Sequence, residues 1–389
     1  MFSTNLQRIV LMGAMGVASA AAWGQVVVTT GPATQSGRDQ AMPQPVKRAE
    51  VRAANDLTPT LLTIHKEKVA VAEVLCELSG QLGREYYIPA MVREWGNFPL
   101  VSVQAEKQPY WDVALALEDK LYGTCGTGFD GRLMIGMGQR FDPAFRQVTG
   151  VFVVTVIGVG HDVSYMVAPE KRVTCGVQLA VRAEPHVKMM TYVPVCVPEV
   201  AVDEQGNSLV PKGNVKDAVV AFAPERDKNV IMVRLAPPAE HGRKIARLKG
   251  ALTLTVPAEV KTLAIDSLGA AETCKEELNG AALTFTASEE RLTLAASQGS
   301  YSQWLETKVL LDCIRVLATD QAGVTYLMVP GGGSGGAMSL TTTYTPHISA
   351  VSPANGEPRP GKAVKYQIVY PLGLKEVTIP FEFRDLPLP

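Results

Sequence analysis

Residues 62–83 read LTIHKEKVAVAEVLCELSGQLG and residues 101–122 read VSVQAEKQPYWDVALALEDKLY; a shift of 39 positions superposes the two without a gap. Glu67 falls on Glu106, Lys68 on Lys107, Val74 on Val113, Leu78 on Leu117 and Leu82 on Leu121. The first copy opens with strand alternation, Leu62 and Ile64 against Thr63 and His65. It continues as an apolar helical stripe of Val71, Val74, Leu75, Leu78 and Leu82, answered in the second copy by Tyr110, Val113, Ala114, Leu117 and Leu121. Gly83 stands at a helix C-cap position, and Pro109 suits a first helical turn. With EYYIPA and GRLMIGM as short strands, residues 58–138 read as an α+β module of order β-α-β-β-α-β. Burying five aliphatic side chains contributes about 10 kcal/mol gross. Fixing about 12 helical residues costs as much or more in backbone entropy. One copy therefore cannot stand alone, whereas two can share a sheet and hide both helices.

From about residue 150 the pattern changes to short alternating runs such as VFVVTVIGVG, CGVQLAVRA, VIMVRLA and ALTLTV. A second set runs VKTLAI, ALTFTA, RLTLAAS, KVLLDCIRVLA, VTYLMV, SLTTTY, KYQIVY and EVTIPFEF. Short strands between turn residues predict a mainly-β remainder of two β-sandwich, immunoglobulin-like domains. Val256-Pro257-Ala258 marks the boundary between residues 150–257 and 258–389. Three runs end in Asp-x-x-Gly: Asp203 with Gly206, Asp266 with Gly269, and Asp320 with Gly323. Asp opening a turn accepts backbone N–H bonds and Gly at the fourth position tolerates left-handed geometry, so these predict equivalent hairpin corners.

Residues 1–24 have the form of a secretory signal peptide: one cation, Arg8, then a short apolar core and small-x-small cleavage patterns at Ala18-Ser19-Ala20 and Ala22-Trp23-Gly24. That core is short for a spanning helix, and no later stretch is long enough, so no membrane span is expected after cleavage. Residues 25–57 lack periodicity and read as a disordered linker. Export, periplasmic or secreted, would carry six cysteines into an oxidising compartment. Cys76 with Cys125, Cys175 with Cys196, and Cys274 with Cys313 give two per predicted domain and are candidate disulfides. The net charge of −1 argues against nucleic acid as a partner.

In its strand LLTIHKEKV, its helix VAEVLCELSGQLG, the repeat LVSVQAEKQPYWDVALALEDKLYG and the closing GRLMIGMG, the module resembles the STN domain. That is the short N-terminal domain of secretins and TonB-dependent receptors. The resemblance implies a periplasmic module that docks other proteins. It covers about a fifth of the chain and implies no secretin pore, since no such series follows. The sandwich segments and the closing EVTIPFEFRDLPLP are similar to exported bacterial proteins from which no activity carries over.

No catalytic, cofactor-binding or metal-binding motif is present. His65, His161, His186, His241 and His347 are scattered without ligand spacing. PGGGSGG at 330–336 lacks the Lys-Ser/Thr of a phosphate loop and reads as a hairpin tip. Glu276-Glu277 and Glu289-Glu290 sit on opposite strand faces and cannot act together. Trp95, Tyr110 and Trp111 are candidate docking residues, with core packing as the competing reading of Trp95 and Trp111 and at most one of the adjacent Tyr110 and Trp111 expected in the core. The expected function is therefore a non-catalytic docking protein of the cell envelope, using a helix face or a sheet edge against another envelope protein. The alternative is carbohydrate or cell-wall binding through an aromatic face of a β-sandwich.

Overall fold

The computed structural model describes residues 27–31, 56–84, 86–87, 100–127, 133–137, 141–165, 171–189, 191–212, 220–221, 229–237, 242–266, 272–346 and 361–388. The signal segment and Trp95 lie outside them. The chain is mostly β, in large antiparallel sheets. It begins with β1 (Val27–Gly31), β2 (Leu61–Val69), α1 (Val71–Leu82), β3 (Tyr86–Tyr87), β4 (Leu100–Pro109), α2 (Tyr110–Leu121), β5 (Gly123–Thr127) and β6 (Leu133–Met137).

The two copies pair with each other about an internal pseudo-twofold axis. Antiparallel β2 and β4 place His65 opposite Gln104, which are equivalent positions of the repeat. The pairs Leu62–Gln108 and Val69–Val101 interchange about that point, as do Ile64–Ala105 and Lys66–Val103. The register shifts once on either side of it, between Leu62 and Ile64 and between Lys66 and Val69. Both bulges hold a lysine in the left-handed region, Lys68 and Lys107 each at φ 49°. Each bulge N–H is satisfied by the other copy: Lys68 donates to Ser102 Oγ at 2.8 Å, and Lys107 donates to Thr63 Oγ1 at 3.2 Å. The repeat thus specifies its own partner.

A single shared sheet was the simplest expectation, but there are two: β1-β4-β2 and β3-β6-β5. Both helices lie between them, their apolar stripes joined in one core with Leu62, Ile64, Val101, Val103, Leu133 and Ile135. Gly83 caps α1 at φ 61°, as its sequence position predicts, and its counterpart Tyr122 caps α2 at φ 52°. The expected linker is partly structured, because β1 lies antiparallel on β4 with Thr29 opposite Ser102.

The next unit has two sheets around one core. One is β11-β14-β9-β8-β7, formed by β7 (Arg146–Thr149), β8 (Phe152–Tyr165), β9 (Lys171–Ala183), β11 (Val195–Cys196) and β14 (Asn229–Leu235). The other carries β10 (Thr191–Tyr192), β12 (Val200–Asp203), β13 (Val220–Ala221), β15 (Lys244–Asp266) and β22 (Ala363–Pro387). Val154, Val177, Leu179 and Ile231 from the first meet Leu248, Leu252, Phe381 and Phe383 from the second.

A boundary at residue 257 falls inside β15. The expected interruption there is a bulge, with register shifts around Glu259, and pairing with β22 runs on through Asp266–Lys365. One long antiparallel strand pair therefore threads both β units, and the end of β22 belongs to the first unit's core. The division into 150–257 and 258–389 is corrected accordingly.

The remaining strands do not form a second pair of sheets. β16 (Glu272–Leu278), β17 (Ala281–Ala287), β18 (Leu292–Ser297), β19 (Arg315–Asp320), β20 (Thr325–Gly336) and β21 (Ser339–Pro346) extend the pair as one sheet, in the order β15-β22-β19-β20-β21-β18-β17-β16. The sheet curls: Phe285 on β17 and Tyr370 on β22 are far apart in that order, yet their rings lie 6.4 Å apart. An ion pair between Lys261 Nζ and Glu276 Oε2 at 2.6 Å ties its two ends. The segment KVLLDC, expected as strand, belongs to α3 (Tyr301–Asp312), which buries Trp304, Thr307, Leu310 and Leu311 at helical spacing. PGGGSGG is paired β20 strand, and the turn follows at Ala337-Met338.

Two of the Asp-x-x-Gly corners are superposable in their bonding. Asp203 Oδ1 accepts the N–H of Gln205 and Asn207, and Asp320 Oδ1 accepts those of Ala322 and Val324, all at 2.8–2.9 Å. Gly206 and Gly323 take φ 84° and 81°. Gly269 of the third corner lies outside the described residues. Asp320 Oδ2 also accepts the Gly361 N–H at 2.7 Å. Burial alone would raise the Asp320 pKa, but the N–H groups of Gly361, Val324, Ala322 and Gly323 outweigh it and hold the carboxyl below its ordinary value. Its stabilising contribution is then complete above the unfolded carboxylate pKa and is lost as pH falls through the lower folded value. Asp320→Asn would turn an amide N–H toward the Gly361 N–H or strip Oδ1 of its two donors. The expected cost at neutral pH is about 2 kcal/mol, narrowing below pH ~4, measured by urea unfolding across pH.

Candidate functional site

The difference between the two copies locates the junction between the module and the first β unit. Ala72 and Ser79 of α1 correspond to Trp111 and Glu118 of α2, and Trp111 and Glu118 are both buried. Trp111 Nε1 donates to the Val151 carbonyl at 2.9 Å. The Arg182 guanidinium lies 5.1 Å from the centre of its ring. Arg182 grips Glu118 with both terminal nitrogens, Nη2 to Oε2 at 3.1 Å, and its Nη1 also donates to the Cys125 carbonyl at 3.0 Å. The Cys125 N–H donates to Glu118 Oε1 at 2.7 Å, and Arg146 reaches Asp119 at 2.6 Å. Val153 of β8 sits in the module's own core. Beside this seam, Glu184 Oε2 accepts the Thr60 N–H at 2.9 Å and lies 3.4 Å from His186 Nδ1.

Docking through Tyr110 or Trp111 is thereby overturned. They are 2% and 1% exposed, and their rings meet edge to face with centroids 5.0 Å apart. Both enter the core because the first β unit covers the helix face that an isolated module would leave open. No disulfide joins any of the six cysteines. For Cys175 and Cys196 the reason is topological. They stand opposite Leu235 and Val233, so strand β14 lies between them. Two strand spacings, about 9.6 Å, exceed the roughly 7 Å limit for a bridge. Cys125 is buried, which pushes its thiol well above the ordinary value, and burial pushes Cys313 up to about 12.

The module's exposed feature is the outer edge of β2. Leu62 and Ile64 point inward, whereas Leu61, Thr63 and His65 are exposed, Leu61 at 56%. Among the described residues no strand pairs with that edge. One side chain occupies it: the Gln81 amide at the end of α1 donates to the Thr63 carbonyl at 2.7 Å and accepts the Thr63 N–H at 3.1 Å. On the exposed face, His65 Nδ1 lies 2.9 Å from Gln104 Oε1 and Nε2 lies 3.0 Å from Glu106 Oε2. Those two acceptors raise its pKa.

The chain matches no family model, no curated protein and no solved structure. Its chemistry must be read from the residues themselves. The acid pairs are tied into surface ion pairs, Glu276 with Lys261 and Glu289 with Lys362 at 2.7 Å. Among the described residues no group of three or more His, Cys, Asp or Glu is placed to hold a metal, and no helix is long and apolar enough to cross a membrane. The edge of β2 was anticipated only as a class of surface. Gln81, Glu118, Arg146 and Arg182 carried no local signal, because each acts on a residue from another element.

Proposed function

We propose that this chain is an exported, non-catalytic docking protein of the bacterial cell envelope, and that its STN-like module offers the outer edge of β2 to another envelope protein. One observation carries this reading. The helices are enclosed between two sheets and the β unit, while among the described residues β2 keeps an outward backbone edge with only the Gln81 amide upon it. Main-chain hydrogen bonds to such an edge supply affinity, and the exposed Leu61 supplies apolar contact. The runner-up, glycan binding on an aromatic sheet face, has less support: Trp304 and Tyr326 are buried, and the exposed Tyr301 lies on a helix.

Deleting the module is an unsuitable test, since removal would bare Val153 and leave Arg182 without Glu118. Edge variants serve better. Thr63→Pro removes an outward N–H, and Leu61→Lys places a charge on the edge, a device that blocks strand addition. Capture of a partner from an envelope fraction should fall about tenfold or more in both variants, with circular dichroism unchanged. Capture by both variants undiminished from the wild type, or retention on peptidoglycan alone, would overturn the reading.

A further inference from the structure

The pseudo-twofold axis relates not only β2 to β4 but also the outer edges of these two strands. On the β4 edge the chain has laid its own strand β1, antiparallel, with Thr29 opposite Ser102, Thr30 opposite Val101 and Gly31 opposite Leu100. The repeat maps Ser102, Val101 and Leu100 onto Thr63, Leu62 and Leu61. At the spot corresponding to Thr29, the β2 edge holds the Gln81 amide, which bonds both backbone groups of Thr63. A primary amide carries one donor and one acceptor, as a peptide unit does, so Gln81 occupies the place of one residue of a missing strand. In the second copy that position is Lys120, which has no such amide, and there the strand itself is present.

We propose that the outer edge of β2 is a second strand seat equivalent to the one β1 fills. It would take an extended, uncharged, β-branched segment of a partner protein, antiparallel, with the Gln81 amide displaced from Thr63. The sequence VVTTG of β1 is the template for that chemistry, because it is what the equivalent edge selects. A second copy of this chain is the weaker occupant. Moving its β1 to a neighbour's β2 would vacate its own β4, so no strand pairing would be gained. The inference rests on the docking reading for the availability of the edge and adds the chemistry of the ligand.

The probe is the synthetic peptide QVVVCTGP, which is residues 25–32 with Thr29→Cys, its cysteine activated as the mixed disulfide with thionitrobenzoate so that the chain's thiolate forms the new disulfide as thionitrobenzoate leaves, mixed with full-length chain. The expected result is disulfide capture by a Thr63→Cys chain about tenfold faster than by a Thr341→Cys chain, whose cysteine is on an exposed strand elsewhere. Gln81→Ala, introduced beside Thr63→Cys, should speed capture several-fold, and Leu61→Lys should abolish it. Equal rates at positions 63 and 341, or capture only by a Ser102→Cys chain through exchange with β1, would overturn the proposal. So would peptide-free crosslinking between a Thr29→Cys chain and a Thr63→Cys chain, which would assign the seat to a second copy. If the peptide fails while Leu61→Lys still abolishes partner capture, the strand chemistry falls and the docking reading stands. If edge variants leave both unchanged, both fall.

Discussion

Glu118→Ala should lower the unfolding free energy by about 3–5 kcal/mol. The carboxylate is 2% exposed and binds both terminal nitrogens of Arg182 and the N–H of Cys125, with Arg146 Nη1 at 3.8 Å. Its removal leaves the Arg182 guanidinium, itself 7% exposed, facing an apolar methyl and one carbonyl. A buried charge stripped of its counter-charge costs far more than the pair contributes when intact. The companion Glu118→Leu with Arg182→Met removes both charges together and should recover a large part of the loss. Chemical unfolding of the two variants separates charge imbalance from lost packing. Equal losses would mean that packing governs the seam.

Trp111→Ala is expected to cost about 3–5 kcal/mol from the cavity alone, with the bond to Val151 and the Arg182 stacking lost besides. Trp111→Phe keeps most of the volume and should cost about 1–2 kcal/mol, chiefly for a buried carbonyl left without its donor. Because Trp111 contacts both units, the wild-type unfolding transition should be cooperative across module and β unit, and Trp111→Ala should split it. Tryptophan fluorescence and far-ultraviolet dichroism followed together through a urea titration would show coincident midpoints in the wild type and separated ones in the variant. If the midpoints of Trp111→Ala stay coincident, the Trp111 contact is not what couples the units.

The repeat was legible because a 39-residue offset carries both a strand alternation and a helical stripe, and periodic burial leaves a mark in every residue. From it came the pairing of strands with helices, the Gly83 cap and the core positions of α1 and α2. The symmetric bulges at Lys68 and Lys107 left no such mark, since lysine is not a residue that announces left-handed geometry. The long antiparallel pair of β15 and β22 was missed because Pro257 at a bulge looks locally like Pro in a linker. That Tyr110 and Trp111 would both be buried was missed for a different reason. Exposure on an isolated helix says nothing about a covering surface contributed by β8 and β9, and the Glu118–Arg182 pair spans 64 positions of sequence. The disulfide expectation failed similarly, since equal cysteine counts per unit do not place two thiols on neighbouring strands. What distinguishes the copies, Val71-Ala72 against Tyr110-Trp111, proves to bind the molecule to itself, and among the described residues the outer edge of β2 in the first copy has no pairing strand.

The most direct measurement is photo-crosslinking in cells from a probe residue at Leu61, compared with one at Thr341. The docking account predicts a discrete protein adduct from position 61, none from position 341, and loss of the first when Thr63→Pro is present. No adduct from position 61, or the same adducts from both positions, would contradict it.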